Sequence, residues 1–255
     1  MTNWIYLAGV VNMRDLGGRT TADGRVVRSG VVLRSDNLGD LSEDAQDSLL
    51  TDYHLSDVVD LRTNREMFVD PAWPFGDKVK RHHLSLYPED DPSEPLPPWA
   101  GAIGAEALAK EDHAHRTARH YLGYFTWRPE SIVTAMRTIA NAPGATIVNC
   151  AAGKDRTGTI CAVVLKTIGV PDDQVIADYA ASDEKVPAIL ERLGQAAAAG
   201  SAEMEARVSS QSTPAEAMEL LLGMVDEKFG ALANWLDRNG WNENDQGALV
   251  KTLLG

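Results

Sequence analysis

Cysteine is scarce in this sequence: only Cys150 and Cys161 occur in 255 residues. Two thiols cannot form a disulfide framework. The helical pattern between them, at ~1.5 Å rise per residue, would hold them beyond bridging distance. Both are read as reduced thiols, which points to a reducing, cytoplasmic setting. Basic residues are also in deficit, 24 Lys and Arg against 37 Asp and Glu, a net charge of -13. Such a chain repels nucleic acid and anionic membranes in bulk, so nucleic acid is not expected as a partner and any phosphate site must be a local basic pocket. No apolar run approaches the ~18 residues of a membrane span. Met1 to Val10 lacks the basic stretch and apolar core of a signal peptide. Cys/His pairs with ligand spacing are missing as well. His82 and His83 are adjacent and would point to opposite sides of a strand. No metal or other cofactor is expected, and no internal repeat is visible.

What is present reads as alternating strands and helices. Val26 to Leu33, Asp57 to Leu61, Val79 to Leu86 and Thr146 to Cys150 are short, β-branched or alternating, and bounded by Gly, Asp or Pro. Between and after them lie helical patterns over Leu41 to Tyr53, Ala114 to Trp127, Pro129 to Asn141 and Thr157 to Ile168. Ser42 is placed to cap the first, and Gly169 with Pro171 stops the last. From Asp172 to Gly255 the pattern is helical throughout. The order predicts one α/β domain over 1–255, with a central, mainly parallel sheet flanked by helices and an all-helical C-terminal part. Two segments look irregular. Pro88 to Gly104, rich in Pro and acid, reads as a mobile flap or a plain surface loop. Leu190 to Ser212 reads as a helical lid or an ordinary pair of surface helices.

The informative stretch is Thr146-Ile-Val-Asn-Cys-Ala-Ala-Gly-Lys-Asp-Arg-Thr-Gly158. A buried strand delivers Cys150 to the C-terminal edge of the sheet, where α/β proteins bind ligands. Ala151, Ala152 and Gly153 are small enough for the backbone to curl around an oxyanion. A helix then starts near Arg156 and Thr157, and its free N–H groups and dipole favour both a thiolate and a bound phosphate. Arg156 can grip two phosphate oxygens in a bidentate fork. A thiolate attacking phosphorus would give a phosphocysteine that water hydrolyses. The bland alternative for Cys150 is a buried core thiol, which is the reading adopted for Cys161 among Ile160, Ala162 and Val163. Gly153-Lys154 does not make a nucleotide loop: no Gly stands five positions earlier, and Asp rather than Ser or Thr follows the Lys.

The loop Cys150-Ala-Ala-Gly-Lys-Asp-Arg-Thr-Gly158 resembles that of the atypical bacterial protein tyrosine phosphatases, the tyrosine phosphatase B-like group. The resemblance spans nearly the whole chain. It includes Asn12-Met-Arg-Asp-Leu-Gly-Gly18, Leu33-Arg-Ser-Asp-Asn-Leu38, Val59-Asp-Leu-Arg-Thr-Asn-Arg-Glu66, Ala177-Asp-Tyr-Ala-Ala-Ser-Asp183 and the ending from Phe229 to Gly255. It implies a cysteine-phosphatase-like fold, a helical lid over about 186–215 and no metal. It also implies action on phosphotyrosine, with phosphoserine/threonine or phosphoinositide as further substrates. The phosphate-binding residues would be Ala151, Ala152, Gly153, Lys154, Asp155, Arg156 and Thr157. Lys154 would add charge for a polyphosphorylated ligand, or else be a solvent-facing loop lysine. One departure is Asn149, where the family usually has His; a neutral amide leaves the thiolate less stabilised than a cationic ring would. That is the one feature favouring a weak or inactive phospho-ligand-binding module instead of an enzyme. A sulfurtransferase is disfavoured by the Gly-Lys-Asp-Arg loop.

The leaving oxygen needs a proton. Asp155 ranks first: beside a thiolate and a phosphate dianion its carboxyl should be raised and protonated. Asp60 ranks second, at a strand end on the same sheet edge, with orienting Arg62 or Arg156 as its alternative role. Asp77 is third; Trp73-Pro-Phe-Gly before it only superficially resembles a Trp-Pro-Asp loop. Arg14 and Arg34 would either line the pocket or form structural salt bridges. No feature of the sequence sets an oligomeric state.

Overall fold

The structure is a computed structural model and describes residues 2–70, 72–89, 112–195 and 197–255. The irregular segment expected over Pro88 to Gly104 lies outside these residues from position 90 onward. Among the described residues six strands form one sheet: β1 (Asn3–Trp4), β2 (Arg14–Asp15), β3 (Val32–Ser35), β4 (Leu55–Asp60), β5 (Lys80–His83) and β6 (Ala145–Asn149). Their order is β1-β2-β3-β6-β4-β5. β1, β2 and β3 pair antiparallel, whereas β3, β6, β4 and β5 run parallel. The sheet is therefore mainly parallel, as the alternation of patterns predicts. The helices are α1 (Glu43–Thr51), α2 (Asn64–Val69), α3 (His113–Trp127), α4 (Pro129–Asn141), α5 (Asp155–Thr167), α6 (Asp172–Ala180), α7 (Val186–Arg192), α8 (Ala202–Ser210), α9 (Ala215–Phe229), α10 (Leu232–Arg238) and α11 (Glu243–Leu254).

Period-two alternation sends successive strand residues to opposite faces. Leu33, Val58 and Ile147 pack with Ala45 and Leu49 of α1 in the smaller core. Val32, Val59 and Val148 face the larger core built from α3, α4, α5, α9 and the C-terminal helices. β6 lies between β3 and β4 and all five of its residues are buried, the polar Thr146 and Asn149 included. Among the described residues no helix is long and apolar enough to cross a membrane.

The Val26 to Leu33 stretch does not form one strand. β3 begins only at Val32, and Val26, 55% exposed, makes an isolated bridge to Thr20. The break is at Ser29-Gly30, where Gly30 has a positive φ and its N–H is taken by the Asp15 side chain. The segment over 186–215 forms α7 and α8. Val186, Ile189 and Leu190 of α7 are buried, and Arg192 ties it to Asp36 at 2.6 Å. α8 buries no residue at all.

Candidate active site

Cys150 follows the last residue of β6 and is 1% exposed. The chain then turns through Ala151 to Lys154 into α5, whose first residue is Asp155. Gly153 makes the turn possible. Its φ is +68°, and a Cβ there would lie 2.5 Å from the Asp36 nitrogen and the Ser35 carbonyl carbon. The Gly153 N–H points at the Cys150 sulfur, at 3.2 Å. It can do so because the loop carbonyls face the other way. Ala151 O accepts from the Asn37 N–H at 3.1 Å, Ala152 O from Asn12 Nδ2 at 2.9 Å and Gly153 O from Arg34 Nη2 at 2.8 Å. With its carbonyls drawn back, the loop presents amides and a helix N-terminus to whatever sits above the sulfur.

The backing is itself braced. Arg14 and Arg34 are cross-strand partners on β2 and β3, a like-charge pair that alone would be unfavourable. Asp178 of α6 resolves the repulsion: Arg14 Nε reaches it at 3.2 Å, and Arg19 Nη2 and Arg34 Nη1 each at 2.5 Å. Burial pushes the Asp178 carboxyl up, but Arg14, Arg34 and Arg19 outweigh it and hold it well below the usual range. Arg14 and Arg34 are both 0% exposed, so they brace the loop from behind and do not line a pocket.

Arg156 lies in the first turn of α5. Its Nη1 and Nη2 donate to Glu66 Oε2 and Oε1 at 2.6 and 2.7 Å, and Nη1 also reaches the Leu61 carbonyl at 3.2 Å. Its guanidinium lies 5.4 Å from the Tyr87 ring centroid. Glu66 is the N3 residue of a capping box with Thr63, so the cap of α2 fixes the carboxylate that fixes the arginine. Among the described residues nothing accepts from Nε, which leaves the Nε and Nη2 edge of the fork available for an anion.

A family model described as "Tyrosine phosphatase family" matches residues 5–255. The chain belongs to the tyrosine phosphatase family. It is 26% identical over 283 residues to the "Triple specificity protein phosphatase PtpB" of Mycobacterium tuberculosis, covering 98% of both chains. It is 29% identical over 224 residues to the "Putative tyrosine-protein phosphatase H16_A0669" of Cupriavidus necator, covering 85% of this chain and 79% of that one.

Within this phosphatase fold the three candidate acids fall in different places. Asp155 opens α5, and its side chain is one-third exposed at 33%. Its Oδ1 accepts from the Tyr121 hydroxyl at 2.5 Å, and its Oδ2 lies 3.0 Å from Lys154 Nζ. Burial pushes this carboxyl up, but Lys154, the Tyr121 hydroxyl and Arg156 outweigh it and hold it below the ordinary value. That reverses the direction expected from the sequence: the cationic neighbours and the Tyr121 hydroxyl win. Asp60 is engaged by Arg62 at 3.1 Å and Arg81 at 2.6 Å. Burial is outweighed there too, and its carboxyl is lowered. By strand alternation its side chain falls on the α1 face of the sheet, away from α5. It orients Arg62, not Arg156. Asp77 sits in an exposed turn just before β5, hence at the N-terminal edge, opposite the loop.

Lys154 is not the solvent-facing lysine of the alternative reading; its side chain is 7% exposed against Asp155. Thr157 is fully buried and its hydroxyl has no partner among the described residues. Asn149 is buried with Oδ1 unpartnered among the described residues. Cys161 is a buried free thiol, pushed up to about 11, mainly by burial. Among the described residues no group of three or more His, Cys, Asp or Glu could hold a metal. Reasoning from the sequence missed Asn12, Glu66, Tyr121 and Asp178. Three of them lie in or beside the family-like segments, but nothing local assigns them a role.

Proposed function

We propose that the chain is a cysteine-dependent phosphomonoester hydrolase acting on phosphotyrosine, with phosphoserine/threonine and phosphoinositide monoesters as further substrates. One observation carries the reading: the Cys150 sulfur receives the Gly153 N–H at 3.2 Å, at the base of a loop whose carbonyls are tied back. A phosphate above that sulfur would meet the loop amides from Ala151 to Thr157 and the open edge of Arg156. In the first step the Cys150 thiolate forms the S–P bond, the P–O bond to the leaving group breaks, and the Asp155 proton goes to the leaving oxygen. In the second, a water oxygen bonds to phosphorus, the S–P bond breaks, and Asp155 takes the water's proton. The incoming dianion supplies the negative charge that favours a protonated Asp155 over the ionised form held by Lys154 and Tyr121. Asp155 is preferred to Asp60 because Asp60 is committed to two arginines on the other face of the sheet.

The breadth of substrates is supported by the PtpB relative, whose name describes triple specificity. Residues 1–255 act as a single phosphatase domain, with α7 and α8 as its lid. The test is Cys150→Ser assayed with an aryl phosphate. Turnover should vanish while tungstate binding persists, because the amides and Arg156 remain. Residual turnover above a few per cent in Cys150→Ser would sink the covalent mechanism. Tungstate binding by the parent protein with no turnover would favour a binding module.

A further inference from the structure

Asp155 is reached from outside the phosphate loop by a chain of two tyrosine hydroxyls. Tyr121 of α3 is 1% exposed and donates to Asp155 Oδ1 at 2.5 Å. Tyr179 of α6 is 0% exposed, and its hydroxyl lies 2.9 Å from that of Tyr121. A phenol has one proton to give, and that of Tyr121 goes to the carboxylate. Tyr179 must therefore donate to the Tyr121 oxygen. The chain has one direction, from Tyr179 to Tyr121 to Asp155, and each bond polarises the next. Burial first, and then the Asp155 charge, pushes both phenols above their ordinary value, so both stay protonated donors.

The arrangement is held on every side. Tyr121 stacks on Tyr124 at 5.9 Å between centroids and meets the Tyr179 ring edge-on at 6.0 Å. Gly158, one turn into α5, lets the Tyr179 ring approach: a Cβ there would lie 2.9 Å from Tyr179 Cδ2. Lys154 Nζ spans the carboxylate, 3.2 Å from Oδ1 and 3.0 Å from Oδ2, so with Tyr121 also on Oδ1, Oδ2 is the less engaged oxygen and the one to carry the transferable proton. The other charged and titratable groups around Asp155 are Lys154 and Arg156 on its own segment, Tyr124 on α3, Tyr87 and Cys150.

We propose that Tyr121, backed by Tyr179, is a positioning residue that turns Asp155 so that Oδ2 faces the leaving oxygen, and that sets when it releases its proton. This rests on Asp155 being the acid, as proposed above. A donor to the carboxylate favours the ionised form, so its removal raises the pH at which Asp155 loses its proton. The acid must be protonated to act, so the basic limb of the rate profile should move upward.

The experiment measures kcat against pH for Tyr121→Phe, Tyr179→Phe and Asp155→Asn. Two substrates are used, phenyl phosphate with a poor leaving group and a dinitrophenyl phosphate with a good one. The loss in Tyr121→Phe should be about tenfold larger for the poor leaving group, the worth of one hydrogen bond to a charged group. Its basic limb should move up by about one pH unit. Tyr179→Phe should move the limb the same way by less. If Tyr121→Phe does not fold, as judged by thermal melting, the Tyr179→Phe limb decides. Equal losses on both esters with unmoved limbs would overturn the positioning role. Asp155→Asn separates the two readings. If it is selective for the poor leaving group while the tyrosine variants are not, only this inference fails. If it is unselective, Asp155 is not the acid and both fall.

Discussion

At the residue scale, Glu66 fixes Arg156, the arginine proposed above to bind phosphate. The carboxylate holds both terminal nitrogens of the guanidinium and leaves its other edge open. Glu66→Gln keeps the shape but loses the charge, so Arg156 should swing more freely. The expected outcome is a fall in kcat/KM of about tenfold, from one weakened charge-assisted pair. Arg156→Lys keeps the charge but not the fork and should be nearly inactive in the same assay. The pair also predicts a pH dependence of stability. Burial pushes Glu66 up, but the Arg156 hydrogen bond and charge outweigh it and bring it to about 2. A carboxyl lowered by folding adds stability above its unfolded value of about 4.3, and that stability is lost as pH falls toward the folded value. The melting-temperature gap between the parent and Glu66→Gln should therefore be full at neutral pH and narrow below about pH 4. A gap independent of pH would show that the pair adds no net electrostatic stability.

α5 shows how one element serves packing and chemistry together. Its N-terminus closes the loop proposed above to bind phosphate, while Ile160, Cys161, Val163, Val164 and Leu165 are buried in the larger core. Gly158 tests the balance. By helix propensity alone Gly158→Ala should stabilise by about 1 kcal/mol. The new methyl would press on the Tyr179 ring at 2.9 Å and approach Arg34 Nη2 at 3.4 Å. Overpacking of this kind costs about 1–3 kcal/mol, and since ring and guanidinium are both buried and bonded, it should win. Urea unfolding should show a lowered midpoint with an unchanged m-value. A raised midpoint would mean that Tyr179 can move aside without loss. Ser42 gives a plainer case: its hydroxyl accepts the Ala45 N–H at 3.2 Å, and Ser42→Ala should cost about 1 kcal/mol by the same measurement.

Across the whole molecule, an acidic chain places four of its 24 Lys and Arg residues around one loop. The net charge is -13, yet Arg14, Arg34, Lys154 and Arg156 gather at the loop between β6 and α5. Asp178 makes the gathering possible by joining β2, β3 and α6 through three arginines. Asp178→Asn leaves buried guanidinium charges uncompensated and should cost about 3–5 kcal/mol. Because Arg34 also holds the Gly153 carbonyl, and Arg14 holds the Asn12 side chain that donates to the Ala152 carbonyl, tungstate affinity should fall with stability. Undiminished affinity in the folded fraction would show that the loop stands without its backing. Turnover by the parent protein should survive chelators and fall with vanadate, since a thiolate is the proposed nucleophile. Loss on metal removal with recovery on adding it back would contradict that.

The sequence by itself determined whatever is local. The β6–Cys150–loop–α5 unit was legible because its strand, small residues, Arg and apolar helix are contiguous, and short β-branched or alternating stretches between Gly, Asp and Pro marked the parallel strands. The Val26 to Leu33 pattern misled because a Gly turn held by Asp15 interrupts it. Tertiary structure alone decided the pairings. Tyr121 and Asp155 are 34 positions apart, Glu66 and Arg156 are 90, and Asn12 and Ala152 are 140. No periodicity links such positions; only the fold brings them within hydrogen-bond reach. Whether Asp155 is raised or lowered was decided in the same way. The carboxyl is the same in both readings, but its burial, Lys154 folded against it and a hydroxyl delivered by α3 set the sign.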